Sequence, residues 1–382
     1  MNAPDGSRRI AGMPAQTHGD AGHQPEEAAP TVAVTGSAVV DRDLGEILGA
    51  ALPWDQLAGK TVLVSGAAGM IPAYAVYTLL ALNEAHGAGI TVLGLVRNLA
   101  KAETVFAALR DRDDFRLVEG DVQEEIPVSE PVDLVIHGAS PARPALHAGS
   151  PVDTIRANVQ GAFGLLDLCV RTGARFVLMS SAEVYGQRAD DGSLVSESDY
   201  GAVDILNPRA CYTEGKRAAE TIAVSYHAQY GVPITIARFG HIYGPGMALD
   251  DGRVQADFTA DVIAGRDITL NSDGSARRTY TYLGDAIAGM FTALLVGENT
   301  AYNISDRDGF ISIRDLAEAF TAARPQSGLR VRFRDDVDVS QYNPVKGQGL
   351  DDARLRALGW APHVGLRSGI DRTIAWHEER RA

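Results

Sequence analysis

The chain has 382 residues, 45% of them hydrophobic and 22% charged, with a net charge of -14 at pH 7. That length suits two domains, or one large domain with a lobe, and the acidity argues against nucleic acid or an anionic membrane surface as a partner. No apolar run reaches the roughly 18 residues of a membrane helix, and no apolar signal-peptide centre stands near the start, so a cytoplasmic protein is expected. The two cysteines, Cys169 and Cys211, lie in helical stretches without zinc-type spacing, and the nine histidines are scattered. Buried free thiols and no metal site are therefore expected.

Residues 1–35 are rich in Gly, Pro, Ala, Gln and His without apolar period, the composition of a disordered tail. Residues 36–58 carry apolar residues at helical spacing and read as a helical extension packed beside the core. Strand, Gly-rich turn and helix follow from Thr61 to Ala85. Further strand-like runs stand at Ile90–Val96, Arg116–Glu119, Leu134–His137, Phe176–Ser180 and Ile234–Arg238, with helices at Val152–Arg171 and Cys211–Gln229. Such alternation predicts an α/β fold, a Rossmann-type doubly wound parallel sheet over residues 59–240. After about Gly240 the alternation weakens, and helices joined by short strands predict a smaller α/β substrate-binding lobe over residues 241–382.

The turn Gly66-Ala67-Ala68-Gly69-Met70-Ile71-Pro72 falls where a dinucleotide fingerprint belongs: Gly66 permits the tight turn and Gly69 lets backbone approach a pyrophosphate. Pro72 replaces the third glycine, which the first helical turn tolerates. The next strand ends Val96-Arg97-Asn98 where NAD binders carry an acid for the ribose hydroxyls. Arg97 suits a 2'-phosphate or stacks on the adenine of NAD, so NAD is expected and NADP stays open. Asp121, in Gly120-Asp121-Val122, is placed to meet the adenine, and the small residues of His137-Gly138-Ala139-Ser140 admit the cofactor.

Tyr212 and Lys216 are four apart in a helical stretch and share a face. A phenol is a poor base at neutral pH, and a neighbouring ammonium favours its phenolate. Ser181, at a strand end, would hold the same hydroxyl for proton transfer. Tyr342 and Lys346 repeat the spacing, but the intervening Asn343-Pro344 argues against helix there. Arg238, Arg253, Arg277 and Arg278 offer fork-shaped donors suited to phosphates.

Together, the Gly66/Gly69 turn, Ser181, Tyr212 and Lys216 resemble the extended short-chain dehydrogenase/reductases, in the nucleotide-sugar epimerase/dehydratase branch, over about Gly59 to Trp376. The chain is most similar to UDP-glucuronate decarboxylases in Ser-x-Glu-Val-Tyr-Gly at Ser181–Gly186, Arg-x-Cys-Tyr-x-Glu-Gly-Lys-Arg at Arg209–Arg217, and Tyr-Gly-Pro-x-Met-x-x-Asp-Asp-Gly-Arg-Val at Tyr243–Val254. It shares Leu358-Gly359-Trp360 as well. The resemblance implies Ser181, Tyr212 and Lys216 as a catalytic triad and Glu183 as an acid/base near sugar carbon 5. It also implies Met70, Ile71, Val122, Ala139, Ser140 and Asn158 at the cofactor, and Arg209, His241, Arg253 and Arg278 at a nucleotide-diphosphate sugar. His241 departs from the family, which uses Asn there. A homodimer through a four-helix interface of the Val152–Arg171 and Cys211–Gln229 helices is implied too.

Oxidation at carbon 4 serves decarboxylases, epimerases and 4,6-dehydratases alike. Dehydratases with an Asp-Glu pair use the Asp at position 182 as acid, and decarboxylases carry Ser there; this chain has Ala182. Glu183 is unneeded for simple 4-epimerisation. The expectation is decarboxylation or epimerisation of a UDP-glucuronate-like substrate, with 4-epimerase or 4,6-dehydratase as the alternative. A catalytically idle NAD(P)-binding sensor is the alternative of another class, against which the intact Ser181, Tyr212 and Lys216 speak.

Overall fold

The computed structural model describes residues 29–143, 149–188, 192–334 and 347–381. Most of the expected tail lies outside the described residues, but Val32 and Val34 are buried against the main core, so the packed chain starts before residue 35. Val40, Leu44, Ile47 and Leu48 line the inner face of α1 (Ala38–Leu48), the stripe of an amphipathic helix. Ser37 caps it, its Oγ accepting from the Val40 N–H at 3.4 Å. The helix reaches only Leu48 because Gly49 closes it; beyond Pro53 a single 3-10 turn spans Trp54–Leu57.

In chain order, β1 (Thr61–Ser65), β2 (Thr91–Val96), β3 (Phe115–Glu119), β4 (Leu134–His137), β5 (Arg175–Ser181) and β6 (Ile234–Phe239) interleave with four helices. These are α2 (Met70–His86), α3 (Leu99–Val105), α4 (Pro151–Thr172) and α5 (Ala210–Tyr230). Then come β7 (His241–Tyr243), α6 (Val254–Ile263), β8 (Ile268–Leu270), β9 (Arg277–Tyr282), α7 (Leu283–Val296) and β10 (Ala301–Ile304). The described chain closes with β11 (Phe310–Ser312), α8 (Ile313–Ala322), β12 (Val331–Phe333), β13 (Gly347–Gln348), α9 (Ala353–Arg356) and α10 (Leu366–Glu379).

Seven parallel strands form the main sheet in the order β3-β2-β1-β4-β5-β6-β10. Its central strands are apolar on both faces because both are covered. Val62 and Val64 share a core with α1, α2 and α7, while Leu63 and Val135 share one with α4 and α5. The order reverses between β1 and β4, and the crevice beyond their carboxyl ends is where open α/β sheets bind ligands.

One part of the expected lobe belongs elsewhere. Although they follow residue 240, β10 pairs with β6 in the main sheet and α7 packs in its core, because long-range strand pairing is not visible in local pattern. The remainder builds a small sheet around β9, which pairs with β7 and β13 in parallel and with β11 antiparallel. Its own core includes Phe258, Leu270, Tyr280, Leu316, Phe320 and Ile370.

Candidate active site

At the switch point the backbone is drawn tight. Gly66 has φ +66°, and a Cβ on it would stand 2.7 Å from the Ala139 Cα, so β1 and β4 approach there only because that residue is glycine. Gly69 caps α2 and donates its N–H to the Gly66 carbonyl at 2.8 Å. Pro72, third in the helix, has no N–H to leave unsatisfied, and its ring fills the space above Gly138, where a Cβ would meet Pro72 Cγ at 2.5 Å. Ser65 Oγ accepts from the Ala139 N–H at 3.3 Å and shares a 2.7 Å hydrogen bond with His137 Nδ1. Burial brings the His137 pKa down to about 3, so that ring is neutral.

Along the carboxyl ends of the strands runs a cleft of about 940 Å³. Gly69, Met70, Ile71, Arg97 and Ser140 line one stretch of it; Ser181, Glu183, Tyr212, Lys216, Arg209, His241 and Arg253 line the rest. The Ser140 hydroxyl is buried with no partner among the described residues. A glycine-floored crevice at a switch point, bordered by an unused buried hydroxyl, fits a dinucleotide.

β5 delivers Ser181 to the cleft, and its Oγ accepts from the Glu183 N–H at 3.3 Å. α5 presents Tyr212 and Lys216 on one face. Tyr212 is hydrogen-bonded to Ser181, and Lys216 Nζ stands 5.9 Å from the Tyr212 ring centre while donating to the Met179 carbonyl at 2.8 Å. Burial lowers the Lys216 pKa to about 8. The expectation that this ammonium depresses the phenol's pKa does not hold. Burial raises the Tyr212 hydroxyl above its ordinary value, opposed by the Ser181 hydrogen bond and the charge of Arg253.

Glu183 is exposed to the cleft. The enclosing walls push its carboxyl up, against the pull of Arg278, Arg253 and Arg209 in that order. His241 is driven down to about 3, first by burial and then by Arg278 and Arg253, and its ring lies 5.8 Å from that of Tyr280. Ala182 is buried and brings only a methyl group to the cleft.

Several expected residues stand elsewhere. Arg238 is buried in an ion pair with Glu220, Nη2 to Oε2 at 2.7 Å, and also donates to the Tyr185 hydroxyl and the Glu197 carbonyl. Arg277 stacks on Phe310 at 4.1 Å and donates to the Phe310 carbonyl. Arg209 and Arg253 line the cleft, Arg253 pairing with Asp251 at 3.3 Å, while Arg278 is near enough for its charge to act on Glu183 and His241. Asp121 sits behind the wall, 3.6 Å from Arg97. Val122 and Asn158 are buried and do not line the cleft, Asn158 donating to the Thr154 carbonyl at 2.8 Å. Gly66 and Ala139, packed against each other at the ends of β1 and β4, do not themselves line the cleft. Tyr342 and Lys346 lie outside the described residues. Sequence reasoning missed Lys101, Arg143, Gln187 and Asn207, all at the cleft; only Lys101 carried a signal, a second cation four residues after Arg97.

Among the described residues no helix is long and apolar enough to cross a membrane, and no group of three or more His, Cys, Asp or Glu side chains could hold a metal. Both cysteines are buried thiols not joined in a disulfide.

A parallel sheet with a glycine turn at its switch point and a Tyr-Lys helix beside the crevice defines a Rossmann-type enzyme architecture. The chain belongs to the NAD dependent epimerase/dehydratase family, whose sequence profile matches residues 62–305. It is 34% identical over 320 residues to UDP-glucuronic acid decarboxylase 6 of Arabidopsis thaliana, spanning 81% of this chain and 86% of that protein. With UDP-glucuronic acid decarboxylase 1 of Danio rerio it shares 31% identity over 266 residues, 69% of this chain and 61% of the other. UDP-glucuronic acid 4-epimerase from Bacillus cereus, solved with UDP-glucuronic acid and NAD, has the same fold. The TM-score is 0.69 at 22% identity, over 84% of this chain and 99% of that one.

Proposed function

We propose that the cleft binds a nicotinamide dinucleotide along Gly69, Met70, Ile71 and Ser140, and a nucleotide-diphosphate sugar resembling UDP-glucuronate against Arg209, Arg253 and Arg278. The bound dinucleotide supplies a hydride acceptor. Ser181 and Tyr212 hold the sugar's 4-hydroxyl between them. The Tyr212 oxygen, as phenolate, takes its proton while the hydride leaves carbon 4, which becomes a carbonyl. Lys216 holds a positive charge on the same helical face, its Nζ 5.9 Å from the centre of the Tyr212 ring.

A carbonyl at carbon 4 acidifies the hydrogen on carbon 5, and a carboxylate there becomes part of a β-keto acid that loses carbon dioxide. Glu183, in the same cleft as Tyr212, is placed to carry a proton to or from carbon 5. Decarboxylation or epimerisation therefore leads. Dehydration ranks below both because Ala182 has no proton to give to a leaving hydroxyl. The pairing of Tyr212 with Ser181 above Lys216, in a cleft that also holds Glu183, carries this reading; an idle dinucleotide-binding module has no use for it.

A panel of UDP-, dTDP-, GDP- and ADP-linked sugars, glucuronates included, tests the proposal by mass and proton NMR of the products. Loss of carbon dioxide identifies a decarboxylase, unchanged mass with altered ring couplings an epimerase, and loss of water a dehydratase. No conversion of any sugar would overturn it.

The same reading includes a homodimer. Val152, Ile155, Phe163 and Val170 on α4, with Val224 and Tyr230 on α5, are exposed, and a second copy of these two helices would cover them. Light scattering measures the mass in solution.

A further inference from the structure

The wall of the cleft contributed by residues 68–143 carries three cations, Arg97, Lys101 and Arg143, and no carboxylate. Its acidic lining residues, Glu183, Asp204 and Asp251, all come from segments after β5. In a dinucleotide fold the residue that follows β2 faces the adenosine ribose, and an acid there holds the free 2'-hydroxyl and repels a phosphate. This chain places Arg97 at that point.

The neighbouring groups do not restore the acid. Asn98 is engaged in its own helix, its Oδ1 accepting from the Lys101 N–H at 2.9 Å. Asp121 approaches Arg97 at 3.6 Å, but it lies off the cleft wall and its Oδ1 accepts from the Gln123 N–H at 2.9 Å. Lys101 stands four residues beyond Arg97 at the same wall, and both side chains are exposed. A guanidinium just before the helix cap and an ammonium in the first helical turn, both at the cleft, suit a dianionic phosphate.

We propose that Arg97 and Lys101 bind a phosphate monoester on the adenosine ribose, so that this chain holds the 2'-phosphorylated dinucleotide, NADP, more tightly than NAD. The proposal rests on the reading of the cleft as a dinucleotide site. The preference comes from exposed charges, so it weakens as salt screens them.

Equilibrium titration of the purified protein, stripped of any bound nucleotide, with NADP and with NAD tests this by calorimetry or intrinsic fluorescence. NADP should bind about tenfold more tightly, equivalent to about 1.4 kcal/mol, and the gap should narrow between low and high salt. In the double variant Arg97→Ala/Lys101→Ala the two affinities should converge. Equal or tighter binding of NAD by the unaltered protein overturns the proposal and leaves the dinucleotide site standing, as does a preference for NADP that survives in the double variant. Binding of neither nucleotide overturns the dinucleotide reading itself.

Discussion

Lys216 Nζ is fixed 5.9 Å from the centre of the Tyr212 ring by its 2.8 Å hydrogen bond to the Met179 carbonyl. The strand that ends in Ser181 thus also anchors the cation. Moving either element changes the proton chemistry of both.

Replacing Tyr212 by Phe removes the hydroxyl that exchanges the sugar's proton and leaves the packing of the ring. Turnover should fall by about 10²–10⁴-fold, the range for a positioned acid or base, with the melting temperature nearly unchanged. Steady-state kinetics beside calorimetry measures both; full activity in the variant would sink the proposed mechanism.

Buried Lys216 titrates near 8, against 10.5 for a free lysine. The unfolded chain therefore holds the proton more tightly than the folded one, and between about pH 8 and 10.5 the native state gains stability as pH rises. Lys216→Met should abolish that gain, about 3 kcal/mol across the window. Urea unfolding of both proteins over a pH series reads the difference.

Glu183→Gln should separate the two halves of the reaction. Oxidation at carbon 4 proceeds, reduced-nicotinamide absorbance accumulates, and conversion at carbon 5 slows by about 10²-fold or more. Rapid mixing with the best substrate of the panel follows the absorbance; normal product formation would remove Glu183 from the chemistry.

Asp43 on α1 accepts hydrogen bonds from Tyr74, Tyr282 and Arg372 at 2.9, 2.6 and 2.6 Å, and Arg372 also pairs with Glu46. Asp43→Ala leaves those three donors short of a partner and should cost about 3–5 kcal/mol, the range for breaking a buried ion pair. Denaturant titration measures the loss.

Local spacing made the heart of the candidate site legible, because Tyr212 and Lys216 sit one helical turn apart and Gly66 and Gly69 lie between a strand and a helix. What stayed hidden depends on distant partners. Nothing near Arg238 reveals that Glu220, on another element, neutralises it. The separation of Arg277 from Arg278 was available in principle, since consecutive residues of a strand point to opposite faces. The return of α7 and β10 to the main sheet was not, because pairing with β6 joins segments more than sixty residues apart.

That return makes β6 an interior strand only when the late segment Ala301–Ile304 is in place. During synthesis its outer edge waits, unpaired and apolar, while the intervening lobe is made, and such an edge invites pairing between chains. A chain cut at Gly240 should therefore aggregate rather than yield a free-standing nucleotide-binding half.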